Sequence, residues 1–188
     1  MPQGCAALQP AQPAITVGPG EIWTHLYNAV TTHGGRYVQG GGCLRIGVGG
    51  SVQVGGFGSF SKNYGTAAAN LLEAEIVTAD GVVPIANACT NPDLFWALKG
   101  GGGGTFSVVT RLTMRTHPLP QYFGNVFTMI QASSDAAFRR LIGQFLVFYA
   151  DSLLNPHWGD VVRMRRDNVL VVEMSFRGLD REQAQAVW

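Results

Sequence analysis

GGGCLRIGVGG, residues 40–50, is the stretch on which the reading of this chain turns. More than half of it is glycine, and Cys43 stands among the glycines. Glycine loses more backbone freedom on folding than any other residue, so such a concentration needs a physical reason. Either the main chain must come close to something large, or amides must be offered with no side chain in the way. Gly55, Gly56 and Gly58 carry the pattern on, and the N–H groups from Gly47 to Gly58 are expected to line an anion or a planar polar ring. Cys43 itself has two readings on residues alone. It is a small buried apolar side chain, the commoner role, or a thiolate presented to an electrophile.

Outside this block the chain reads as alternating short elements. Residues 1–13 hold three prolines and no periodicity, and are expected to be a tail. Residues 14–17 suit a strand, and apolar side chains at 22, 23, 26, 29 and 30 have helical spacing. Leu72, Ala74 and Ile76 alternate with Glu73, Glu75 and Val77, which predicts a strand over 70–78. Asp80-Gly81 predicts a hairpin whose return begins at Val82. Asn91-Pro92-Asp93 has the order of a helix start, with Asn91 as cap. Five glycines, Gly100 to Gly104, then lead into a strand with Phe106, Val108, Thr110, Leu112 and Met114 expected on one side. That run serves either as a flexible turn or as a cofactor-facing loop. His117-Pro118-Leu119-Pro120 marks a boundary. Beyond it come a strand over 123–130, a helix over 134–149 capped by Ser133 or Ser134, a hairpin around Asp167-Asn168, and a helix from Arg181. The chain stops inside that last helix, which suggests truncation.

The bulk properties remove several functions. The 188 residues carry a formal net charge of +1, too little for a nucleic-acid or acidic-membrane partner. No apolar run reaches membrane-spanning length, and the start lacks a signal peptide, which favours a cytoplasmic location. The three cysteines, Cys5, Cys43 and Cys89, are too few and too scattered for a disulfide framework. No ligand spacing for a metal occurs. There is no GxGxxG, Walker A or GxSxG motif. Ser59-Phe-Ser-Lys62 fits SxxK without the partner motifs of acyl transfer, and the four histidines are isolated. Glu73 and Glu75 have the look of a carboxylate pair but suit the solvated side of a strand. Phe57, Phe60 and Tyr64 are read as core or cavity lining, with core the commoner role.

Three blocks in order and spacing resemble the FAD-linked oxidoreductases of the vanillyl-alcohol-oxidase (VAO) superfamily, in the berberine-bridge-enzyme-like branch. They are GGGCLRIGVGG, GGFGSFSKNYGTAAANLLEAEIVTADG and NPDLFWALKGGGGGTFSVVTRLTMRTH. The resemblance implies an α+β fold: the second half of a PCMH-type FAD-binding domain over 14–120, followed by the truncated start of an α+β substrate domain over 121–188. The family's Arg-x-Gly-Gly-His stretch, which bonds the flavin 8α-methyl, does not occur in this sequence, nor does its C-terminal Tyr-containing segment.

By the same resemblance Cys43 falls on the position of a 6-S-cysteinyl bond to the flavin, although the common Cys-Pro-Thr-Val is here Cys-Leu-Arg-Ile. Arg45 is then placed to lower the thiol pKa or to point to solvent. Val48, Gly49, Gly50 and Ser51 correspond to the segment along the flavin and ribityl chain, with Ser51 beside N1–C2=O. Gly55, Gly56 and Gly58 would let the backbone approach FAD. Asn70 matches an Asp/Asn position, and Ile76 and Val77 lie toward adenosine. The implied reaction is hydride transfer from an alcohol, amine or sugar-like small molecule to covalently held FAD, with dioxygen as acceptor. The substrate would sit between the flavin and the sheet that begins near Phe123. The alternatives are an inactive remnant or a non-redox binding module.

Overall fold

A computed structural model describes residues 2–5, 11–121 and 123–188, apart from the side chains of Phe123 and Asp160. The chain divides into two units, Met1–Leu119 and Pro120–Trp188, and each mixes helices with antiparallel sheet.

In the first unit β1 (Ala14–Val17) leads through a Gly-Pro-Gly turn into α1 (Trp23–Tyr27), which widens into a π-helical turn at Asn28–His33. The predicted apolar stripe is real: Trp23, Leu26 and Val30 are buried, one helical turn apart. There follow β2 (Arg36–Val38), α2 (Val48–Gln53), α3 (Ser61–Tyr64), β3 (Leu71–Val77), β4 (Ile85–Asn87), α4 (Pro92–Leu98) and β5 (Val108–Pro118). The strand order is β1-β5-β3-β4, and β2 pairs with the C-terminal end of β5. Trp23, Leu71, Ile76, Leu112 and Met114 centre the core.

Strand β5 departs from simple alternation. Glu75 faces Arg111, but the next residue, Ile76, faces Val109, so Thr110 is an extra residue on β5. A one-residue bulge reverses which side chains face inward. Leu112 and Met114 are therefore buried as expected, while Val109 replaces the exposed Val108 before the bulge. A second shift between Leu71 and Glu73 lets both Leu71 and Leu72 be buried. The hairpin return also starts later than expected. Val82 and Val83 are exposed, and pairing begins at Ile85. Asn91 stands at the start of α4 but does not cap it. Its backbone is left-handed, and its side-chain amide donates back to the Ile85 carbonyl (2.7 Å).

The cysteine reading is corrected. Cys5 and Cys89 form a disulfide across 84 residues, a pairing that spacing does not reveal. Residues 2–5, read as part of a tail, are built into the first unit at this point. The buried Asn87 amide donates to the Gln3 carbonyl and the Glu73 carboxylate (both 2.9 Å). Its oxygen accepts the Cys89 and Thr90 amides (both 2.8 Å).

The second unit runs β6 (Phe123–Gln131), α5 (Asp135–Phe148), β7 (Trp158–Met164), β8 (Val169–Arg177) and α6 (Arg181–Val187), with sheet order β6-β8-β7. Ser134 is the cap of α5, accepting the Ala137 amide (3.2 Å). Trp158, Leu170, Val172 and Met174 form the core of this unit. Among the described residues no helix is long and apolar enough to cross a membrane.

Candidate flavin site

The glycine block folds back on the segment that leads into α1. The Val48 amide donates to the Glu21 carbonyl (2.7 Å) and the Gly49 amide to the Pro19 carbonyl (3.0 Å). Gly49 is bare because Pro19 lies against it: an added Cβ would stand 2.5 Å from the proline Cβ. At Gly58 an added Cβ would come within 1.9 Å of the Gly40 carbonyl oxygen. Glycine at these two positions thus serves close packing of the chain on itself. The expected row of free amides is interrupted at three of its glycines. Gly49 is bonded to Pro19, Gly55 to the Val52 carbonyl (3.0 Å), and Gly58 to the Ser61 hydroxyl (2.9 Å).

A cavity of about 250 Å³ nevertheless opens beside the block, and Cys43 lines it. Cys43 is the free, exposed cysteine. Ser51 and Gly56 line the same cavity, together with Trp23, Ile46, Val54 and Phe57. Val54 and Phe57 are 65% and 66% exposed, so the rim is an uncovered apolar surface. Of the two readings for the aromatic cluster, Phe57 takes the cavity-lining one, whereas Phe60 is buried in the core. Arg45 is exposed and does not line the cavity.

Ser51 is already committed. Its hydroxyl accepts the Trp23 indole N–H (2.7 Å) and donates to the Val48 carbonyl (3.0 Å). A hydroxyl has one proton, so Ser51 acts here as the link between Trp23 and α2, not as a free donor. Val48 and Gly49 are buried and Gly50 is exposed, and none of the three lines the cavity.

The remaining candidates lie elsewhere. Asn70 is buried and its amide donates to the carbonyls of Tyr64 (2.8 Å) and Thr66 (2.9 Å), tying the turn before β3. Ile76 is buried, with its amide on the Pro84 carbonyl, and Val77 pairs with Val108. Glu73 is bound to Asn87 and the Gln3 amide, and Glu75 pairs with Arg111 at 2.8 Å, so neither is presented as a catalytic carboxylate. Loop 100–104 is fastened to the end of α2. The Gly102 amide donates to the Gln53 carbonyl (3.1 Å) and the Gly104 amide to its Oε1 (3.4 Å).

Sequence reading missed the partners that shape this site. Trp23 and Tyr27 stack with centroids 5.3 Å apart, and the Tyr27 hydroxyl donates to the Gly41 carbonyl (2.8 Å). The helical spacing places Trp23 inside but does not show what it supports. The donor set fits a planar, largely apolar ring with a thiol at its edge: bare main chain at Gly41, Gly42 and Gly56, aromatic and aliphatic walls, and one sulfur.

Residues 3–86 match the family model of the FAD-binding domain. Over 93% of its length the chain superposes on a VAO-type flavoprotein from Myceliophthora thermophila C1, with TM-score 0.76 and 33% identity. The chain is similar to FAD-binding VAO-type flavoproteins. A berberine-bridge-enzyme-like protein of Physcomitrella patens gives TM-score 0.80 at 25% identity, again over 93% of the chain. The FAD-linked oxidoreductase easE of Arthroderma benhamiae is 55% identical over 108 residues, 56% of this chain. The chain spans 21% of that relative's length, and 32% and 37% of the two solved chains. The FAD-binding-domain match and the FAD-linked relatives give FAD as its cofactor.

Proposed function

We propose that this chain supplies the ring-holding part of an oxidoreductase that acts on an alcohol, amine or sugar-like small molecule, with FAD attached through Cys43. The observation that carries the reading is one free sulfur lining an apolar slot beside bare main chain. FAD held there would supply the redox chemistry, that of a hydride acceptor from a substrate carbon with dioxygen as the final oxidant. Trp23, Ile46, Val54 and Phe57 would provide apolar surface for the ring. Cys43 would hold the ring by a thioether, formed with loss of two hydrogen atoms to dioxygen.

Gly49, Gly55 and Gly58 spend their amides within the chain, so these three do not serve the non-redox anion-binding alternative. The disulfide also bears on location. Such bonds persist in oxidising compartments, so we place maturation of the chain there rather than in the cytoplasm.

The test is incubation of the full chain with FAD in air, followed by acid precipitation and a denaturing gel. Yellow colour and flavin fluorescence that stay with the wild-type band, and are lost in Cys43→Ser, are expected. Fluorescence retained by Cys43→Ser would overturn the attachment. A wild-type band without fluorescence would overturn flavin attachment by this chain.

A further inference from the structure

Segments 19–27 and 41–49 are zipped together, and the pattern of the bonds is one-sided around Cys43. The Tyr27 hydroxyl donates to the Gly41 carbonyl (2.8 Å). Thr24 donates twice to the Leu44 carbonyl, from its amide (2.9 Å) and from its hydroxyl (2.8 Å). The Trp23 amide donates to the Ile46 carbonyl (3.2 Å), and the Cys43 carbonyl accepts the Ile46 amide (3.2 Å). Gly40 presses on the Trp23 ring, where an added Cβ would lie 2.3 Å away. α1 therefore grips the loop on both sides of the sulfur, always through carbonyl oxygens. Among the described residues the amides of Gly42, Cys43, Leu44 and Arg45 make no hydrogen bond within the chain. Burial, and then the nearby Tyr37, hold the Tyr27 hydroxyl protonated far above neutral pH, so it remains a donor.

We propose that Tyr27 and Thr24 are positioning residues for the Cys43 thiol. By fixing the Gly41 and Leu44 carbonyls they hold the sulfur at the rim of the apolar slot, so that it meets flat aromatic electrophiles arriving through the slot in preference to small electrophiles from solvent. Two features make this more than loop packing. The grip comes from side-chain hydroxyls at two positions of one short helix, and it brackets the one free cysteine of the chain. The identity of the natural electrophile rests on the flavin reading, but the positioning does not.

The experiment needs no flavin. With Cys5 and Cys89 bridged, a thiol reagent reports on Cys43 alone. The rates of reaction with dithiodipyridine, a flat aromatic disulfide, and with iodoacetamide, a small aliphatic reagent, are measured on the full chain. Their ratio is the readout, and denaturant midpoints are recorded in parallel. A lost hydrogen bond of ordinary strength corresponds to a change of about 2- to 10-fold, so the aromatic preference should fall by that factor in Tyr27→Phe and in Thr24→Val. Thr24→Ser, which keeps the hydroxyl, should restore it. Ser134→Ala, a destabilising change in the second unit, should leave the ratio unmoved. An unchanged ratio in both hydroxyl-deleting variants would overturn the proposal, as would an equal fall in Ser134→Ala. If Tyr27→Phe does not fold, the Thr24→Val and Thr24→Ser pair decides the matter. A failure of flavin attachment with the ratio behaving as described would sink the flavin reading and leave the positioning intact.

Discussion

His117 donates its Nε2 proton to Oδ1 of Asn70 across 2.7 Å. The direction is fixed by Asn70, whose NH2 group is spent on the carbonyls of Tyr64 and Thr66. An asparagine so oriented offers only its oxygen, and the imidazole must supply the hydrogen. The His117 ring also lies over Tyr64, with centroids 4.5 Å apart.

Burial, followed by the charges of Arg115 and Arg36, holds the His117 pKa below the ordinary histidine value. The fold therefore prefers neutral His117. The stability this contributes is fully present above the unfolded value of about 6.5 and is lost as pH falls through the lower folded value. Urea midpoints measured at about pH 7.5 and about pH 5.5 should show wild type losing more stability on acidification than His117→Gln. Equal losses in the two proteins would remove His117 from this account.

The Cys5–Cys89 bridge closes a loop of 84 residues. In the chain-entropy account a loop of that size confers about 4–5 kcal/mol, most of it by restricting the unfolded state. Cys5→Ala combined with Cys89→Ala should cost that order of stability in denaturant titrations. A midpoint unmoved by reductant would show that the bridge does not constrain unfolding.

Asn87 is fully buried and serves four partners at once. Asn87→Ala leaves several of them unpaired and should destabilise by about 1–3 kcal/mol or more. Asn87→Asp sets a second carboxylate against Glu73, so its penalty should shrink when the solution is made acidic enough to protonate one of them. Circular dichroism melts over a pH series would check both.

Two glycines of the same block should answer differently to alanine. Gly58→Ala drives a Cβ into the Gly40 carbonyl, a backbone group that cannot swing aside, and should cost about 1–3 kcal/mol or more as overpacking. Gly42→Ala meets nothing within 4 Å and should leave the denaturant midpoint nearly unchanged. Similar losses at both positions would contradict the packing role given to Gly58.

Much of the fold follows from local pattern. Trp23, Leu26 and Val30 keep helical spacing and are buried, and Ser134 caps the helix its type and position predict. The β5 alternation misleads because the extra residue at Thr110 answers to pairing with β3, a partner more than thirty residues away. Cys43 is recognisable in sequence as an odd thiol among glycines. The Thr24 and Tyr27 hydroxyls carry no such mark, since their role exists only once α1 lies along loop 41–46.

The order of residues alone thus settled the mixed helix and sheet elements, the glycine block and the presence of a thiol within it, because these depend on spacing along the chain and on backbone freedom. Tertiary structure decided which glycine amides are consumed, that Phe57 walls the slot, that Cys5 meets Cys89, and that Cys43 remains unbridged. Those outcomes depend on contacts between segments distant in sequence, and such contacts leave no periodic signal in either partner taken by itself.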